Sequence, residues 1–210
     1  GLIITVRLFF ERRIFMENVK NIVPVLINAK ANEEVLKEAA YVPFLDLAIT
    51  FRIAEDSDKA YFLTKKGMKE MKLNELTLLK EVMKNKAFTL DTSVRSMENL
   101  LKGMLGDGFE SDLPADILVC TNKEGFLGAS VILNSGIMKG ISDKFDSNLL
   151  IIPSSIHEVL ITGVDNMEMN TSEVAEMINA VNMEQVSENE RLSAHPYIYC
   201  RETGAIIIPE

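Results

Sequence analysis

From Ala115 to Pro209 the chain repeats one pattern: two short runs rich in Val, Ile and Leu, then a stretch whose apolar residues recur three and four apart. The runs are "ADILVCT" with "FLGASVIL", "NLLIIP" with "EVLITGV", and "YIYCRE" with "AIIIP". Each pair reads as a hairpin, closed by "NKEG", by "SSIH" and by Thr203-Gly204. Between them, "GIMKGISDKF" sets Ile137, Ile141 and Phe145 on one side of a helix. A second helix carries Val174, Met177, Ile178 and Val181, and Asn170 with Glu173 three positions on resembles a capping pair at its start. This order of strands and helices implies an α+β fold, with a mostly antiparallel or mixed sheet and helices packed on one face.

The first half is less regular. It opens on a β-rich run, Ile3 to Phe10, then a mixed segment near 15–22 and a second apolar run, "VPVLINAK". Asn32 is placed to cap "NEEVLKEAA", whose Glu33 and Glu34 suit a helix start, and Pro43 ends that helix. In "FLDLAITFRI", Leu45, Leu47, Ile49, Phe51 and Ile53 alternate as on one strand, Asp46 falls on the opposite face as a solvent-facing or paired residue, and "KAYFLT" is its expected hairpin partner after "AEDSD". The segment 65–86 reads as helix, with Leu76, Leu79 and Met83 at helical spacing. A further helix is expected from Ser93 to Leu105, striped by Met97, Leu100, Leu101, Met104 and Leu105. The segment "GDGFESDLP" is then the strongest break in the chain. Two lobes follow, 1–105 and 112–210, or one extended domain with a flexible link at 106–114.

Charge narrows the function classes. Lys and Arg number 22 against 31 Asp and Glu, a net charge of −9. That field repels phosphate backbones and anionic lipid surfaces, and no basic patch stands out to overcome it, so neither a nucleic acid nor a membrane is an expected partner. The first apolar stretch is broken by Arg7 and by Glu11, Arg12 and Arg13, too early to span a bilayer, and its positive charges follow the apolar run where a signal peptide would have them first. The two cysteines, Cys120 and Cys200, lie in strand-like runs with no Cys-x-x-Cys spacing and read as buried thiols. A cytoplasmic location is expected. Because the chain opens on Gly1 rather than methionine, more residues are expected upstream.

Few residues suggest chemistry. The densest polar turn of the second half is "PSSIHE", Pro153 to Glu158, between two apolar runs. There Ser154 or Ser155 offers a nucleophile, His157 a base, and Glu158 or a distant acid an orienting group. The bland reading is stronger: serines favour turns because their hydroxyls bond local amides, and strand residues two apart do not bend their tips together. No catalytic residue is therefore assigned. His195 precedes Pro196 and reads as a turn residue. A metal site built from His157, His195 and Asp165 is not expected, nor is any cofactor. The glycines Gly103, Gly106 and Gly108 evoke a phosphate loop, but they follow a helix rather than a strand and lack Lys-Ser or Lys-Thr; a helix C-cap explains Gly103 or Gly106. Met97, Met104, Met177 and Met183 sit on helical stripes and are expected in the core.

Five phrases in one order, "VLINAKANEEVL", "VPFLDLAITF", "VCTNKEGFLGASVIL", "LLIIPSSIHEVLI" and "INAVNMEQVSENERLSAHPYIY", resemble an uncharacterised bacterial family, domain of unknown function 5688. The resemblance runs from about Ile22 to Ile208. Its pattern features Asn28, Asn32, Asp46, Asn122, Pro153, Ser154, Ser155, His157, Glu158, Asn182 and Val186; the first twenty or so residues and the stretch 91–113 depart from it. It implies a small cytoplasmic bacterial protein and no established reaction. Two readings stand: a non-enzymatic interaction or regulatory protein, which leads, and a small hydrolase-like or ligand-binding enzyme centred on the 153–158 turn. The partner is a protein or a small molecule of unknown identity. The apolar "GAIIIPE" end suggests an edge strand able to pair with a second copy.

Overall fold

The computed structural model describes residues 19–53, 62–106, 116–166 and 170–209. It is an α+β protein with two antiparallel sheets, and it divides into two compact units, Gly1–Asp91 and Thr92–Glu210. The expected opening strand at 3–10 and most of the expected break at 106–114 lie outside the described residues.

The first unit is built on β1 (Ile22–Asn28), β2 (Tyr41–Phe44) and β3 (Leu47–Ile53), in the order β1-β3-β2. β1 and β3 are antiparallel from Ile22 opposite Ile53 to Asn28 opposite Leu47, and both are buried along nearly their whole length. The near-continuous Val, Ile and Leu content of β1 is what burial on both faces demands. The single long strand read from Phe44 to Ile53 is instead a hairpin. Leu45 and Asp46 form its turn, Leu45 takes a left-handed φ of 56° and is exposed, and the carbonyl of Asp46 accepts from the amide of Ala29. Alternation alone does not distinguish a strand from two strands joined by a two-residue turn. Pro43 lies in β2, where an edge strand tolerates a missing N–H. The expected partner "KAYFLT" is described only from Phe62 onward. There Phe62 bridges to Arg52 and Leu63 donates to the carbonyl of Phe51.

Helix α1 (Glu33–Glu38) follows Asn32, but the Asn32 side chain donates back to the carbonyl of Asn28 rather than capping the helix. The long helix expected over 65–86 is broken into α2 (Lys65–Glu70), α3 (Glu75–Val82) and, just after it, α4 (Lys86–Thr89). Thr64 and Asn74 each cap a new start by accepting from the amide three residues on. The break shifts the buried stripe of α3 to Leu78 and Val82, and leaves Leu76 70% exposed.

The second unit carries six strands in the order β4-β5-β7-β6-β8-β9. They are β4 (Thr92–Ser96), β5 (Leu118–Asn122), β6 (Leu149–Pro153), β7 (Val159–Gly163), β8 (Tyr197–Tyr199) and β9 (Ile206–Ile207). The β6–β7 and β8–β9 hairpins form as the sequence predicts. The first predicted hairpin does not. β5 is paired on both sides, by β4 and by β7, so no edge remains for "FLGASVIL", and residues Gly128–Leu133 close into a 3-10 helix. The strand that does pair with β5, β4, was expected to be the start of a helix. Helix α5 begins only at Met97 and runs to Leu105, capped by Gly106 at a φ of 98°.

Helix α6 (Ser135–Phe145) is capped by Asn134, and α7 (Thr171–Gln185) by the reciprocal Asn170–Glu173 box. Val174 and Ile178 of α7 pack on Leu150 and Ile152 of β6. On the alternate face, which carries Ile151 and Ile161, a side chain at Gly163 would meet Cβ of Phe145 at 3.4 Å. β6 is therefore buried on both faces, as its unbroken "LLIIP" requires.

Candidate functional site

The 153–158 link sits against two other pieces of the second unit. One is the segment that leaves β5, and the other is a short 3-10 turn at Glu188–Glu190.

Asn122 ends β5 and holds the chain that follows. Its side-chain oxygen accepts from the amide of Phe126 at 3.1 Å, and its side-chain nitrogen donates to the Phe126 carbonyl at 2.7 Å. Gly125 supplies the positive φ of 67° that this tight return needs. Leu127 follows in the left-handed region at a φ of 54° and is 3% exposed. Gly128 comes next at a place where no side chain fits. A Cβ there would stand 2.2 Å from Oγ1 of Thr121, 2.5 Å from the Asn122 nitrogen and 2.8 Å from the His157 carbonyl oxygen.

His157 is the hub of this corner. Its carbonyl accepts from Gly128 N at 3.0 Å and from Oγ1 of Thr121 at 2.7 Å. Ring atom Nδ1 accepts from the amide of Leu127 at 3.1 Å. That bond uses the lone pair of a neutral imidazole and puts its proton on Nε2, which faces Oε1 of Glu190 at 3.7 Å. The Phe126 ring lies 5.3 Å away, centroid to centroid. Next to it, the amide of Ile156 donates to the Glu190 carbonyl, which ties the 188–190 turn to the same link.

The two serines are engaged locally. Oγ of Ser155 accepts from the backbone amide of His157 at 3.0 Å, and Ser155 N donates to the carbonyl of Glu158 at 3.2 Å. Oγ of Ser154 reaches Oε1 of Glu158 at 3.4 Å. Ser154, Ser155, His157 and Glu158 are all half-buried. The two ring nitrogens of His157 are directed at Leu127 and Glu190 rather than at either hydroxyl. A base for serine attack needs a free lone pair within hydrogen-bond reach of the hydroxyl, and this tautomer has spent its lone pair on an amide.

The other sequence candidates lie apart from this corner. Nδ1 of His195 is 3.0 Å from the Pro196 carbonyl, and its ring stands edge-on to Tyr197 at 5.0 Å. Asp165 accepts from Oγ of Ser147. Among the described residues no group of three His, Cys, Asp or Glu side chains is placed to hold a metal ion, and no helix is long and apolar enough to cross a membrane. Cys120 and Cys200 are both free thiols; burial pushes Cys120 up to about 12. The methionines expected in the core divide otherwise. Met104, Met177 and Met183 are exposed, at 81%, 37% and 78%, while Met68 and Met138 fill the interior.

The residues that sequence reasoning missed are Thr121, Leu127, Gly128 and Glu190. One signal was present: a lone glycine inside the apolar run "FLGASVIL" marks a close backbone approach.

Comparison with curated proteins and with solved structures gives no match. A family model matches residues 9–201, nearly the whole chain, so the protein belongs to the family of unknown function DUF5688.

Proposed function

We propose that this protein acts by binding another protein, in the cytoplasm, and not by catalysis. The observation that carries the reading is helix α5. None of its nine residues is buried, and its stripe of Met97, Leu100, Leu101, Met104 and Leu105 ends with Met104 81% and Leu105 64% exposed. A helix this short gains most of its stability from tertiary cover, and flexible Met and Leu side chains at a surface suit adaptable recognition. The state of the 153–158 turn supports the same reading over a hydrolytic centre, since its polar groups are spent on holding the chain. Two free thiols fit a reducing compartment.

A photo-crosslinking residue at Met104 tests this in living cells. The expected result is one discrete adduct, lost when Leu105→Asp is added, with none from the same label at exposed Lys139. No adduct, or an adduct indifferent to Leu105→Asp, refutes it. A serine-directed fluorophosphonate that labels Ser154 or Ser155 would restore the enzyme reading.

Self-pairing is a second reading, favoured by β9. It is one of the two end strands of the six-stranded sheet, with Ile207 44% exposed and Ile208, just beyond it, 41% exposed. Light scattering over a concentration series is expected to show a dimer that Ile207→Lys abolishes; a monomer throughout rejects it.

A further inference from the structure

We propose that His157 is an acid-operated latch on Leu127. In the neutral ring Nδ1 is the acceptor for the Leu127 amide, so a second proton has only Nδ1 to go to. Once there, it turns the acceptor into a donor that faces another donor, and the bond is lost. Leu127 depends on that bond. Its backbone occupies the left-handed region, which a non-glycine residue holds only when its surroundings over-determine it.

The charged ring has another partner waiting. Glu190, on the 188–190 turn, faces Nε2 at 3.7 Å, with the two side chains 22% and 30% exposed. It draws the imidazolium away from Leu127. On the ring's own link the nearest acid is Glu158, which Ser154 engages, and the segment after β5 presents the uncharged Phe126 ring. Neutral His157 thus holds Leu127, and charged His157 holds Glu190.

The release is local. The bonds from Gly128 and Thr121 go to the His157 carbonyl, which does not titrate, so they persist while Leu127 opens. What is uncovered is an apolar side chain that is otherwise 3% exposed.

Amide hydrogen exchange in the full chain tests this between pH 8 and pH 5, the range in which imidazoles commonly change charge. Rates are divided by the intrinsic rate at each pH. The Leu127 amide is expected to lose about tenfold or more of its protection at pH 5, while the Gly128 amide keeps its own. His157→Asn places a non-titrating oxygen where Nδ1 stands, so its Leu127 amide is expected to stay protected at both pH values. Glu190→Gln, which removes the competing partner, is expected to leave the Leu127 amide better protected at pH 5 than in the native chain. Equal protection of Leu127 at pH 5 and pH 8 in the native chain overturns the proposal, and so does a His157→Asn chain that loses protection as the native one does.

Discussion

Gly128→Ala is the sharpest test of the corner between β5 and the 153–158 link. The added carbon would lie 2.2 Å from Oγ1 of Thr121, 2.5 Å from the Asn122 nitrogen and 2.8 Å from the His157 oxygen. Two of these neighbours are backbone atoms of β5 and of the link, so rotating a side chain does not relieve the clash. Overpacking of this kind costs about 1–3 kcal/mol. The movement also breaks two hydrogen bonds to the His157 carbonyl, from Thr121 and from Gly128 itself, at about 1 kcal/mol each. The expected loss is about 3–5 kcal/mol, a large part of what a domain holds in total. Urea unfolding followed on the methyl resonances of Ile151 and Ile161 reports on the second unit alone. Gly140→Ala is the control: it lies in α6 with nothing within 4 Å of its added carbon, and is expected to stabilise by about 0.5–1 kcal/mol. A loss below about 1 kcal/mol at Gly128 would show that the corner yields easily, and the account of His157 as its hub would fall with it.

Asn170→Ala removes the side-chain half of the cap on α7, the acceptor for the amides of Ser172 and Glu173, and is expected to cost about 1 kcal/mol in the same urea series, with Glu173→Ala, which takes the carboxylate from the residue 170 amide, costing less. Burial that raises Cys120 to about 12 leaves almost no thiolate at pH 8, so iodoacetamide is expected to alkylate Cys200 and spare Cys120 until the chain is unfolded, as read by mass spectrometry. Lys139 beside Asp143, bonded at 2.7 Å and helped by Arg201, holds the Asp143 carboxyl below its usual range. A carboxyl lowered in the folded state contributes stability above its unfolded value and loses it as pH falls through the folded one; stability measured from pH 6 down to pH 2 is therefore expected to fall less in Asp143→Asn than in the native chain.

How the sequence relates to the corner follows from the same residues. The turn chemistry at Asn122, Gly125 and Ser155 was legible because each side chain or φ acts within four residues of its own position. The partner of the His157 ring was not, because Leu127 lies 30 residues away and looks like any strand leucine until the chain folds. The exposure of Met104, Met177 and Met183 was equally hidden: a methionine at helical spacing suits a core or a binding surface, and only the neighbours decide.

By itself the sequence determined the α+β class, the β6–β7 and β8–β9 hairpins, α6 and the capped start of α7, since periodicity, capping and tight turns are local physics. Only the tertiary structure decided that 92–96 is a strand and that "FLGASVIL" is not. Those segments carry weak or mixed local preference, so their conformation is set by which edge of β5 is free to pair and which side chains the core can take up. Both are long-range conditions, and no window of neighbouring residues contains them.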